Sequence, residues 1–199
     1  MITKFTPEKI ESYKQLGKLG RCPMFVFGSN IQGEHVGGAA YFALKECRAV
    51  ANQGFGFQGS SYAIPTCIRL YDKQGKRYTK PFDNVNQIKP YVDAFINDAD
   101  TYPNTTFFVT KIGCGIAGFK VSEVAELFRP CLEMENVILP KEFVEWLLYP
   151  VVIDKLSKRG LIGAGVDYLD SDAMEYVMNN IELNSLDILI NAYVEKIKK

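Results

Sequence analysis

Residues 24–40 constrain this chain more than any other stretch. They read Met-Phe-Val-Phe-Gly-Ser-Asn-Ile-Gln-Gly-Glu-His-Val-Gly-Gly-Ala-Ala. Residues 24–27 are a short apolar run bounded by Pro23 and Gly28, the pattern of a buried strand. Gly28, Ser29 and Asn30 break the run, and Gly33, Gly37 and Gly38 lie in the loop that follows. Residues 39–47 are alanine-rich and apolar at helical spacing, which predicts a helix opening near Gly37. A strand feeding a glycine-rich loop and then a helix presents free main-chain N–H groups to an anion. Glycine permits positive φ there and lets a ligand approach the backbone. The spacing is neither Walker A nor Gly-x-Gly-x-x-Gly. A tight strand-to-helix turn without a ligand satisfies the same pattern.

A second stretch of this kind follows later. Residues 106–112 are β-branched and aromatic and predict a central strand. Residues 113–118, Gly-Cys-Gly-Ile-Ala-Gly, form the second glycine-rich loop. A helix over 121–128 with Ser122 as N-cap comes next. Between the two stretches, residues 51–61 read as a loop with buried aromatics, and 61–64 as a short strand stopped by Pro65. Residues 69–80 predict an exposed turn or hairpin, and 84–99 an amphipathic helix ended by Pro103-Asn104. A last short strand falls at 137–140. Alternating strands and helices imply right-handed crossovers and a mostly parallel or mixed sheet covered on both faces.

Outside this alternation the pattern is helical. Residues 3–16 predict an amphipathic helix, with Thr6 as N-cap and Pro7 at its first position, and 17–23 a Gly/Lys/Arg linker. From Glu142 a helical stretch interrupted at Pro150 leads to glycines 160, 163 and 165, read as a turn. Two more helices are expected over 172–180 and 183–197. The domain reading is therefore 1–145 for the α/β domain and 146–199 for a C-terminal helical extension.

With 199 residues, the chain buries one good core or one domain plus a small appendage. Its formal charge of +0 gives no bulk attraction to nucleic acid or an anionic membrane. The first residues, with Lys4, Pro7, Glu8 and Lys9, lack the apolar core expected of a signal peptide, and no apolar run approaches the ~20 residues that span a bilayer. The five cysteines, Cys22, Cys47, Cys67, Cys114 and Cys131, are odd in number and widely spaced. That favours reduced thiols in a cytoplasmic protein over disulfides or a zinc finger. The single His35 excludes a His-rich metal site; neither metal nor cofactor is expected.

Two glycine-rich loops behind neighbouring strands would sit beyond the carboxyl ends of a sheet and could clamp a diphosphate between them. At this point a family resemblance enters. Phe25-Val26-Phe27-Gly28-Ser29-Asn30 with Gly37-Gly38-Ala39-Ala40 resembles the macrodomain pattern of a strand ending in asparagine followed by Gly-Gly-x-Ala. Gly54-Phe55-Gly56 through Tyr62-Ala63-Ile64-Pro65-Thr66 is similar to the next macrodomain segment. Thr110-Lys111-Ile112-Gly113-Cys114-Gly115-Ile116-Ala117-Gly118-Phe119 is similar to the second phosphate loop. More narrowly, the set is similar to a macrodomain-like family of uncharacterised bacterial and phage proteins, and the resemblance covers about residues 20–140. Two departures stand out: the asparagine motif is shorter than Asn-x-x-Asn, and Glu34-His35 replaces a glycine-rich stretch.

The resemblance implies a three-layer α/β/α mixed sheet that binds ADP-ribose or a related NAD-derived nucleotide; some macrodomains also cleave ADP-ribosyl groups. It implies Asn30 at the distal ribose and Phe119 near the ribose or adenine. It further implies diphosphate contacts from the backbones of Gly37, Gly38, Ala39, Gly113, Cys114, Gly115, Ile116, Ala117 and Gly118, with Gly28, Ser29 and Ile112 also among the ligand-binding residues. Amides suit ribose hydroxyls, backbone donors suit phosphate, and an aromatic face suits a base.

Each candidate also has a plainer reading. His35 is a general base or phosphate donor, or an exposed loop histidine. Asn30 orients a ribose, or satisfies its own turn. Glu34 polarises a water, or is solvated. Lys111 meets a phosphate, or is an edge charge. Cys114 is a nucleophile near a helix N-terminus, or packs. Phe55 and Phe57 are core or loop anchors rather than a base-stacking pair. The expectation is thus a nucleotide-binding protein with hydrolysis by Asn30 and His35 left open. The rival is a non-catalytic sensor or interaction module whose C-terminal helices dock a protein partner or a second copy. A Rossmann-like nucleosidase or transferase ranks last, since it wants an acidic pair near the loops and only Glu34 is there.

Overall fold

The computed structural model describes residues 23–158. The helices expected over 3–16, 172–180 and 183–197, the glycine turn after 159 and most of the linker lie outside them. The chain divides into two compact units, Met1–Phe143 and Val144–Lys199. Among the described residues the protein is α/β, with six strands in one mixed sheet and four α-helices.

The strands are β1 (Met24–Asn30), β2 (Gly56–Gln58), β3 (Ser61–Tyr71), β4 (Arg77–Pro81), β5 (Phe107–Val109) and β6 (Val137–Ile138). The helices are α1 (Gly38–Glu46), α2 (Lys89–Thr101), α3 (Val121–Leu127) and α4 (Lys141–Lys158). Strand order is β2-β3-β1-β5-β6, with β4 paired to β3. The pairs β1–β3, β1–β5 and β5–β6 are parallel, and β2 and β4 run antiparallel to β3.

Central parallel strands are buried on both faces, so they need continuous apolar runs. Phe25, Val26 and Phe27 meet that need and are each at most 1% exposed. Phe25 and Phe27 pack with Ala63, Phe108 and the small residues Ala40 and Ala43 of α1. The small alanines let α1 lie close to the sheet. A second cluster is aromatic. Phe95 of α2 meets Tyr62 at 5.3 Å and Phe107 at 5.5 Å between ring centroids, and Phe128 continues it to Phe143. The buried Tyr62 hydroxyl is satisfied by donating to Asp98 Oδ2 at 2.7 Å.

Several expectations are corrected. The strand at 61 does not stop at Pro65 but runs to Tyr71. Pro65 stands opposite Ser29, immediately beside the register irregularity between Ser29 and Asn30, the kind of position where a missing N–H is tolerated. The 51–61 loop contains β2. The strand expected over 106–112 is only Phe107–Val109. The helix over 84–99 is a 3₁₀ turn, Val85–Gln87, followed by α2. Ser122 lies inside α3; the N-cap is Lys120, whose N–H donates to Glu123 Oε2 at 2.9 Å. Pro150 does not interrupt α4, which runs through it. The 69–80 hairpin is present: β3 and β4 are joined by a turn in which Asp72 Oδ1 accepts from the N–H groups of Gln74 and Lys76.

Candidate functional site

Because β1 and β5 are adjacent and parallel, both glycine-rich loops leave the same edge of the sheet, at the carboxyl ends. They touch there. A Cβ at Gly28 would sit 3.6 Å from Gly113 N and 3.8 Å from Ile112 Cα. The two loops therefore meet at their roots, from which Gly37 and Gly115 stand further out along the chain.

The first loop is pinned at its base. Gly33 has φ +71, and a Cβ there would lie 2.2 Å from Gln53 N; one at Gly54 would lie 2.3 Å from Asn30 O. Two backbone segments, 30–33 and 52–54, thus pack directly on each other, closer than any side chain permits. Ser29 Oγ donates to Gly54 O at 2.7 Å. Asn30 closes the turn with both arms of its amide: Nδ2 donates to Glu34 O at 2.8 Å, and Oδ1 accepts from Glu34 N at 3.1 Å. The Gln32 amide prolongs the ladder, donating to Arg69 O and accepting from Arg69 N. Glu34 is not a solvated carboxylate. Its Oε2 lies 2.9 Å from Arg77 Nη1 and 3.7 Å from Arg69 Nε.

His35 is 2% exposed, not an exposed loop residue. Its ring stands edge-on to Phe27 at 5.1 Å, and its Nε2 lies 3.2 Å from Gln58 Oε1. That oxygen also accepts from Val50 N, while Gln58 Nε2 donates to Gln53 O. The network fixes the Gln58 amide, so in neutral His35 the proton sits on Nε2. Nδ1 is buried without a partner among the described residues.

Beyond this base the loop opens. Gly37 is the N-cap of α1, with extended φ −161 and no side-chain cap. Among the described residues, nothing lies within 4 Å of a Cβ at Gly37 or Gly38. The first helical bond of α1 is Tyr41 N–H to Gly37 O at 3.2 Å, so the N–H groups of Gly38, Ala39 and Ala40 precede the intrahelical ladder.

The second loop is held by its own backbone. Cys114 N donates to Lys111 O, Gly118 N to Gly115 O, and Phe119 N to Gly113 O. Among the described residues, the N–H groups of Gly115, Ile116 and Ala117 have no acceptor. Gly115 and Gly118 have open space where a Cβ would stand, and Ile116 is 72% exposed. Ile112, Gly113 and Ala117 are buried, and Phe119 is half-buried beside Gly113. Lys111 pairs with Glu142 at 3.0 Å. Burial pushes the Cys114 thiol up to about 11, outweighing the Lys111 charge, so it is protonated at neutral pH and a poor nucleophile.

Phe55 and Phe57 anchor their segment on Tyr62, at 6.0 and 4.9 Å, with Tyr91 and Tyr102 beside them. The roles of Gln32, Gln53, Gln58, Arg69 and Arg77 carry no sequence signal, because each depends on a partner brought near by the sheet. Among the described residues no group of three His, Cys, Asp or Glu side chains is gathered to hold a metal ion. None of the described helices is long and apolar enough to cross a membrane.

No protein-family model, curated protein or solved structure matches this chain. What fold and site define is a class: an α/β protein with two main-chain cradles on one carboxyl edge of a mixed sheet.

Proposed function

We propose that this protein binds ADP-ribose or a related NAD-derived nucleotide, with the diphosphate held between the 37–39 and 113–118 backbones. The observation that carries this reading is the meeting of Gly28 with Gly113, which brings both cradles to one edge. Unpartnered N–H groups at Gly115, Ile116 and Ala117, and the α1 N-terminus, supply donors for phosphate oxygens. Glycine at 37 and 115 supports the same reading: neither position has positive φ or, among the described residues, a crowding neighbour, so the described fold does not demand glycine there. A ligand that touches the main chain does.

In this reading the sheet, with α1 packed on β1 and α2 on β3, is the three-layer macrodomain-like arrangement, and residues beyond 145 are an appendage to it. The geometry favours binding over turnover. Asn30 spends its amide on Glu34, His35 is buried against Gln58, and Cys114 holds its proton. Asn30 keeps one N–H and one lone pair for a ribose hydroxyl. Hydrolysis of an ADP-ribosyl linkage needs a proton acceptor that reaches the ligand, and the candidate, His35 Nδ1, is buried. Calorimetric titration with ADP-ribose tests the proposal: saturable heat with a rise in melting temperature is expected. No heat and no thermal shift at millimolar ligand contradicts it.

A further inference from the structure

We infer that Arg69 and Arg77 form an anion subsite beside the first loop, which Glu34 occupies internally and from which an anionic ligand group displaces it. Three observations converge. Two guanidinium groups face one carboxylate, leaving a local surplus of one positive charge. Arg69 Nε is buried with no hydrogen-bond acceptor among the described residues, since Glu34 Oε2 stands at 3.7 Å. A buried donor without a partner is unfavourable, and a charged one more so. The rest of Arg69 is held in place: its Nη1 donates to Thr79 Oγ1, and its main chain is clasped by Gln32.

The position is also telling. β3 runs parallel to β1, so the β3–β4 hairpin rises from the same edge as both cradles. Glu34 is three residues before Gly37, so their Cα atoms are at most about 11 Å apart. An anion bridging Arg69 Nε and Arg77 Nη1 would make the charge-assisted contacts that the Glu34 carboxylate makes only in part. Its chemical class is a phosphate monoester or a carboxylate. Taken with the proposed function, on which this last step rests, the favoured ligand carries an anionic group besides its diphosphate.

The test titrates inorganic phosphate calorimetrically into the full-length protein and its Glu34→Gln, Arg77→Gln and Arg77→Lys variants, with ADP-ribose titrated in parallel. Removing the internal carboxylate is expected to tighten phosphate binding about fivefold in Glu34→Gln. Arg77→Gln is expected to weaken it about tenfold, with partial recovery in Arg77→Lys. Arg77 is half-exposed, so these variants are expected to melt within a few degrees of the parent. Phosphate affinity that is unchanged or weaker in Glu34→Gln overturns the subsite and leaves Glu34 as a clasp. The two proposals fail separately. ADP-ribose binding without the phosphate pattern removes the subsite alone; the phosphate pattern without ADP-ribose binding keeps the subsite and removes the nucleotide.

Discussion

The loops after β1 and β5 look alike in sequence and are held in opposite ways. The first is fastened by side chains: Asn30 on Glu34, Gln32 on Arg69, Gln58 on His35, Arg77 on Glu34. The second is fastened by its own main chain, with hydrogen bonds that span four to seven residues. The glycines divide in the same way. Gly33 and Gly54 are where two backbones touch, whereas Gly37 and Gly115 face open space. A glycine-rich loop therefore contains two kinds of glycine, one where backbones touch and one that no described neighbour crowds.

The largest expected effect comes from the first kind. Gly54→Ala drives a Cβ into Asn30 O and Ile31 O, both main-chain atoms that cannot swing aside. We expect a loss of about 3 kcal/mol or more by urea denaturation. A loss within 0.5 kcal/mol would show that the two segments are not locked together.

Alkaline pH comes next. Burial raises the thiols of Cys114, to about 11, and Cys131, to about 12, from an ordinary 9.0, and raises Cys67 as well. The folded state holds these protons more tightly than the unfolded chain does. Stability from these groups is thus complete below pH 9 and is lost as pH rises toward 11–12. Melting temperature is expected to be flat in this respect up to pH 9 and to fall above it. Alkylation of Cys114 by iodoacetamide is expected to stay slow at pH 7.5. Fast alkylation of native protein at that pH would restore the nucleophile reading of the second loop.

Asn30→Ala removes two hydrogen bonds that close the first turn. About 2 kcal/mol of destabilisation is expected, near 1 kcal/mol for each bond. Weaker ADP-ribose binding with unchanged stability would instead assign Asn30 to the ligand alone. Gly115→Ala is expected to change stability by less than about 0.5 kcal/mol while weakening ADP-ribose about tenfold or more. Substantial unfolding in that variant would erase the distinction between the loops.

Much of the fold was legible in local pattern. The apolar run at 24–27 announces a buried strand, and the β-branched and aromatic run at 106–112 a central one, although only Phe107–Val109 of it pairs. The hairpin turn is read from the polar run Lys73-Gln74-Gly75-Lys76, and the α2 stripe from Val92, Phe95 and Ile96. Proline misled twice. Pro65 and Pro150 read as stops, yet a register irregularity lies beside one and a helix runs through the other. A missing donor ends an element only where the lost bond goes unreplaced, and sequence does not show that. In the site, the two glycine loops were legible, but not their fastenings. Glu34 and Arg77 are 43 residues apart, His35 and Gln58 are 23 apart, and only the sheet brings them together. His35 in particular reads as exposed from its polar, glycine-rich neighbours and is buried by partners that no local pattern names.

The claim that most of this account depends on is joint action of the two cradles. An amide NMR titration of the isotopically labelled full-length chain with ADP-ribose addresses it directly. The account predicts that the N–H signals of Gly37, Gly38 and Ala39 shift together with those of Gly115, Ile116 and Ala117, along curves that fit one Kd. Shifts confined to one loop, two different Kd values, or no shifts at either loop at millimolar ligand would contradict it.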